Sequence, residues 1–234
     1  MNGGWEEEIT HTLALLMVLA SLSILAQSQF RGLIRALAAQ GWLLAGTLAW
    51  QGFARGSPVP LLAAALAASF NGAWMPLWLS GLAHRLSAPE TVPSAIGFQG
   101  NMLFGLGAVG LAIGALRVPV HSSSLPAGFD FALAVSIILM GLLVLTSRRH
   151  GLAQTAGFVA AQNGLILALI GLPGALPALI LQAALSALSA LMAGGIGLFR
   201  IPGELNAADH FPRDHWRTSP EAAKESSVTV PPAG

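Results

Sequence analysis

The chain contains no cysteine. Iron–sulfur clusters and nickel–iron centres are held by thiolates, and structural zinc usually is, so the chain by itself binds none of these, and it forms no disulfide. Charge is nearly as scarce: Asp, Glu, Lys and Arg make up 9% of the 234 residues, where a soluble domain carries roughly a quarter. With 54% hydrophobic residues and a mean hydropathy of +0.69, the chain cannot cover a water-soluble surface. Its composition is that of an integral membrane protein. A net charge of +1, with basic residues scattered through turns, offers no surface for nucleic acid.

Ionisable groups are missing from the apolar stretches too. All ten carboxylates, Glu6, Glu7, Glu8, Glu90, Asp130, Glu204, Asp209, Asp214, Glu221 and Glu225, read as loop or tail residues. His11 and His84 fall at span ends, His121 and His150 in turns, His210 and His215 in the tail. No two face each other as a bis-histidine haem requires. No catalytic, cofactor-binding or metal-binding residue is assigned. Arg35 alone sits inside a span, about one turn deep, where it either snorkels to the headgroups or belongs to an ion pathway.

What the sequence does have is apolar runs of about 20 residues, the length that crosses a bilayer. They fall at 9–27, 32–53, 59–83, 98–116, 128–147, 153–172 and 174–199. These imply an all-α, polytopic bundle of about seven transmembrane helices over residues 1–202, followed by a polar tail at 203–234 that lacks the apolar periodicity to order itself. The first run is read as a retained helix, because acidic Glu6, Glu7 and Glu8 precede it where a signal peptide carries positive charge. Gly, Ser and Pro place breaks at 56–58, 87–93, 122–128 and 171–174. The last break is short enough to make the final two helices an antiparallel pair. Arginine counting puts Arg31, Arg35, Arg85, Arg148, Arg149 and Arg200 on one face and only Arg55 and Arg117 on the other. By the positive-inside rule the amino terminus is outside and the carboxyl terminus cytoplasmic.

The polar side chains left at membrane depth are Gln40, Asn71, Gln99, Asn101, Gln162, Asn163, Gln182 and Ser186. Each must find a partner, because an unsatisfied amide in hydrocarbon costs several kcal/mol. Interhelical glue, worth ~1 kcal/mol per contact, is one reading. A hydrated polar path through Asn71, Gln162, Asn163, Ser186 and Gln40 is the other, and it requires several of them to come together. Gly105, Gly107, Gly110 and Gly114, and Ala190, Gly194, Gly195 and Gly197, mark faces that admit close helix approach, within the bundle or to a partner. Trp42 and Trp50 are read as bracketing the second helix, Trp74 and Trp78 as sharing a face around Pro76.

Together these motifs resemble a known family. The run QFRGLIRALAAQ at Gln29–Gln40, Asn71 followed by Pro76-Leu77 and then Ala83-His84-Arg85-Leu86, SRRHGL at Ser147–Leu152 with Gln162-Asn163-Gly164, and FRIPGELN at Phe199–Asn206 resemble component E of hydrogenase-4. That component is a membrane subunit of formate-hydrogenlyase-type, group 4 nickel–iron hydrogenase complexes. The likeness runs over most of residues 10–207, and the last three helices look like the K subunit of bacterial complex I. The resemblance implies a noncatalytic subunit of the prokaryotic cytoplasmic (inner) membrane. Its partners would be antiporter-like membrane subunits and a peripheral hydrogenase-like redox arm, which would carry the nickel–iron and iron–sulfur centres. Family members commonly carry lysine where Asn71 stands, glutamate where Gln162 stands and an acid near Ser186, and Val159 replaces the K subunit's middle-helix glutamate. Here all four are neutral. Besides this reading stand an independent small-solute transporter or channel, and a purely structural scaffold.

Overall fold

A computed structural model describes residues 3–85, 91–92, 94–117, 125–170 and 176–209, with side chains over 8–85, 91–92, 94–114, 129–169 and 176–196. The helices are α1 (Gly3–Ala26), α2 (Phe30–Arg55), α3 (Pro58–Leu66), α4 (Met75–Arg85), α5 (Gly97–Arg117), α6 (Leu125–Ser147), α7 (Gly151–Ile170) and α8 (Leu176–Asp209). A π-helical segment, Ala67–Trp74, joins α3 to α4 without a break. Counting that composite once, seven helices are long and apolar enough to cross a membrane, and no strand occurs among the described residues. The chain divides into two compact units, Met1–Gly197 and Leu198–Gly234. The site lies in the first. Of the expected loose tail at 203–234, residues 203–209 are helical as the end of α8 and the rest lie outside the described residues, as do residues 87–90 and 93 of the break at 87–93 and the whole break at 171–174.

Helix ends follow backbone chemistry. α2 stops at Gly56, whose φ of 60° suits a residue without Cβ; its N–H returns to Phe53 and that of Ser57 to Gly52. Pro58 then opens α3, where its missing N–H costs nothing. α6 begins at Leu125, inside the expected break at 122–128.

The third span departs from plain helix for a local reason. The N–H of Met75 reaches back five residues to the Phe70 carbonyl, so it cannot serve Asn71. The next donor in line is residue 76, a proline with no N–H. The Asn71 carbonyl is therefore left without a helical donor. Gly41 on α2 packs straight against it: a Cβ there would lie 2.6 Å from both the Asn71 carbonyl carbon and oxygen. Only a residue without a Cβ fits at position 41 against this stretch of backbone.

The core gathers Met17 of α1, Leu44 and Leu48 of α2, Ala63 of α3, Leu133, Ile137 and Met140 of α6, and Ile166 of α7. α6 and α7 form the tightest pair, antiparallel: a Cβ on Gly157 would meet the Leu145 backbone nitrogen at 2.5 Å, and one on Gly164 the Ile138 nitrogen at 2.8 Å. The tightest packing therefore lies one pair before the last. The small-residue contacts are relocated too, since Gly107, Gly110, Gly114, Gly194 and Gly195 have nothing within 4 Å of a built Cβ. Of the glycines singled out on α5, Gly105 does pack, under Leu22 and Leu25 of α1.

Candidate functional site

Three of the five polar residues singled out from sequence come together in a single hydrogen-bonded chain. Asn71 Nδ2 donates to Asn163 Oδ1 at 2.6 Å, and Asn163 Nδ2 to Gln40 Oε1 at 3.4 Å. Gln40 Nε2 donates to Ser21 Oγ at 2.8 Å, and the Ser21 hydroxyl closes on the Met17 carbonyl at 2.9 Å. The chain joins the π segment, α7, α2 and α1, and all four side chains are buried. Each amide donates onward and accepts from behind, so the run has a direction. Its upstream end is Asn71 Oδ1, a buried acceptor with no protein donor.

The other two residues lie elsewhere, on the seam between α7 and α8. The Ser189 hydroxyl is 2.7 Å from Gln162 Oε1 and 2.9 Å from the Leu185 carbonyl. It carries one proton, so it serves one acceptor at a time. Ser186 receives Gln182 Nε2 at 3.4 Å. Gln162 Nε2 and Gln182 Oε1 are buried without protein partners. Every member of both groups falls within about one helical turn of the middle of its span. Gln99, by contrast, is exposed, and Asn101 serves the helix end, giving Nδ2 to the Leu25 carbonyl at 3.4 Å and accepting from Ser94 at 3.0 Å. Ser21 and Ser189 were not singled out from sequence. A serine in a helix usually bonds its own i−4 carbonyl, as both do here, so nothing in sequence flags the second contact.

Two further polar contacts bind the ends of the bundle. Arg148, placed by its sequence in an open turn, is buried to 2% exposure. Its guanidinium donates to the Val92 carbonyl, to Leu25 O at 3.2 Å and to Gln27 O at 2.6 Å, capping the carboxyl end of α1. Short bridges Gln29–Thr91 and Ser94–Arg148 complete the clamp. Burial away from water pulls the Arg148 pKa below its ordinary value. At the other end His11 Nδ1 meets Asp130 Oδ1 at 2.5 Å, so Asp130 is a helical residue of α6 with a partner and not a loop carboxylate.

Trp42 lies near the middle of α2, against Gly72, and does not bracket the helix. Phe70, Trp74 and Trp78 stack at 4.9 and 5.5 Å along one exposed face. No group of three or more His, Asp or Glu side chains gathers among the described residues. Compared with protein-family models, curated proteins and solved structures, the chain matches none.

Proposed function

We propose that this chain is a noncatalytic membrane-arm subunit of a complex I-related redox assembly of the hydrogenase-4 type, set in a prokaryotic inner membrane with its amino terminus outside. The observation that supports this reading is the neutral chain Asn71–Asn163–Gln40–Ser21. It runs sideways across four helices at mid-depth instead of along the membrane normal. A solute pathway needs polar groups facing a cavity, whereas these groups, Asn71 Oδ1 aside, are bonded to one another and tie helices together. Amides neither take nor release a proton near neutral pH, so the chain on its own stores none. The open atoms Asn71 Oδ1, Gln162 Nε2 and Gln182 Oε1 can hold water beside the proton-carrying residues of antiporter-like neighbours. Nickel–iron and iron–sulfur centres belong to partner chains in this reading.

An independent small-solute transporter is the second reading, favoured by the π segment. Transporters present freed backbone carbonyls at mid-membrane to their substrates, and Asn71 has such a carbonyl. One experiment separates the two. A tagged copy extracted in mild detergent is expected to bring down larger antiporter-like subunits and a peripheral metalloprotein arm. Purification as a stable monomer or homodimer that moves solute into vesicles would sink the subunit reading.

A further inference from the structure

The carboxyl end of α1, the start of α2 and the start of α7 meet at one end of the bundle. There the Phe30 and His150 rings lie edge to face, 6.5 Å apart between centroids. Arg31 follows Phe30 and Arg149 precedes His150, so the ring contact brings these arginines to the same edge. Arg35 stands one turn beyond Arg31 on the same face of α2. All three arginines are exposed, and none has a hydrogen bond or ion pair among the described residues. Three exposed guanidinium groups along one edge of the bundle favour an anion there. Among the carboxylates whose side chains are described, Glu8 and Asp130, neither is there: they belong to the opposite ends of α1 and α6. The amino termini of α2 and α7 add positive dipole ends, and Gln29 at the cap of α2 makes no side-chain bond to its first turn.

Below the arginines, the same face of α2 continues through Ala39, Trp42 and Gly46. Trp42 is 57% exposed, while a Cβ on Gly46 would meet nothing within 4 Å. The result is a shallow apolar strip flanked by one indole, running away from a cationic head. We propose that this face binds an anionic phospholipid, its phosphate held by Arg31, Arg35 and Arg149 and one acyl chain lying along Ala39, Trp42 and Gly46. A phosphate fits because guanidinium forks match its oxygens in pairs, and the apolar strip selects a lipid over a soluble phosphate. This inference rests on the multi-pass membrane reading alone, so failure to capture redox partners leaves it standing.

The test is native mass spectrometry of the full-length chain in neutral detergent, titrated with phosphatidylglycerol and with phosphatidylcholine of the same acyl chains. Phosphatidylglycerol is expected to bind preferentially. Each arginine near an anionic group is worth about fivefold, so the triple variant Arg31→Gln, Arg35→Gln, Arg149→Gln should weaken it roughly hundredfold. The corresponding triple Lys variant and Arg55→Gln, at the far end of α2, should keep the preference. Thermal melting confirms that each variant is folded. Should the Gln variant misfold, the wild-type and Lys titrations still decide. Equal binding of the two lipids by wild-type protein overturns the proposal, as does undiminished preference in a folded Gln variant. So does glycerol phosphate competing as strongly as the intact lipid, which would make the ligand a soluble phosphate.

Discussion

Asn163 is the residue on which the central chain turns, since it accepts from Asn71 and donates to Gln40. Replacing it with Leu strands two buried groups, Asn71 Nδ2 and Gln40 Oε1, and is expected to cost about 2–3 kcal/mol. Gln162→Leu should cost about 1 kcal/mol or less, because Ser189 can turn its proton to the Leu185 carbonyl. Unfolding in mixed micelles measures both, and equal losses would mean that the chain is not a cooperative unit. This contrast could not be read in sequence, where the neighbours Gln162 and Asn163 look interchangeable. Adjacent helical residues point about 100° apart, and only packing decides that one faces α2 and the other α8. Arg148 teaches the same lesson. Its sequence setting is a basic turn, yet three carbonyls from two other segments enclose it. Arg148→Lys should lower stability by about 3 kcal/mol in the same assay, because a single ammonium cannot span those acceptors, while Arg149→Lys should be near neutral.

At the level of elements, the spans were legible and their faces were not. Apolar runs of about 20 residues located all seven to within a few residues, because length and hydropathy alone decide what can cross a bilayer. The π segment was not legible. Sequence shows Asn71-Gly72 followed by Pro76, which fits a kink or a break as well as a π turn, and nothing in it shows that Gly41 of another helix lies against Asn71. Glycine spacing misled in a similar way. The GxxxG pair Gly110 and Gly114 faces open space, while Gly141, Gly157 and Gly164 carry the α6–α7 pair. Gly157→Leu should therefore push apart two backbones that cannot yield, costing more than about 3 kcal/mol or preventing folding. Gly110→Leu in the isolated chain should change stability by less than about 0.5 kcal/mol. Melting of the two purified variants checks the pair. If Gly110→Leu leaves the isolated chain intact but blocks capture of partners, the open face of α5 is where a neighbouring subunit packs.

For the whole molecule, the clamp around Arg148 makes topology a prediction with internal consistency. The turn after α1, the segment at Thr91–Val92 and the turn before α7 are bonded together, so all three must lie on one side of any membrane the bundle crosses. His11 and Asp130 mark the opposite side, as does Gly56 at the end of α2. In the orientation proposed from the arginine asymmetry, which is independent of the hydrogen bonds, the clamped side is the cytoplasmic one. Because the chain has no native cysteine, single cysteines report cleanly. Cysteines at Thr91 and Arg149 are expected to react with a membrane-impermeant maleimide only after the cytoplasmic face is opened, and one at Ser57 in intact cells. Reaction of Thr91 and Arg149 from opposite sides would contradict the fold itself. Reaction of both from outside would leave the fold intact and overturn the proposed orientation.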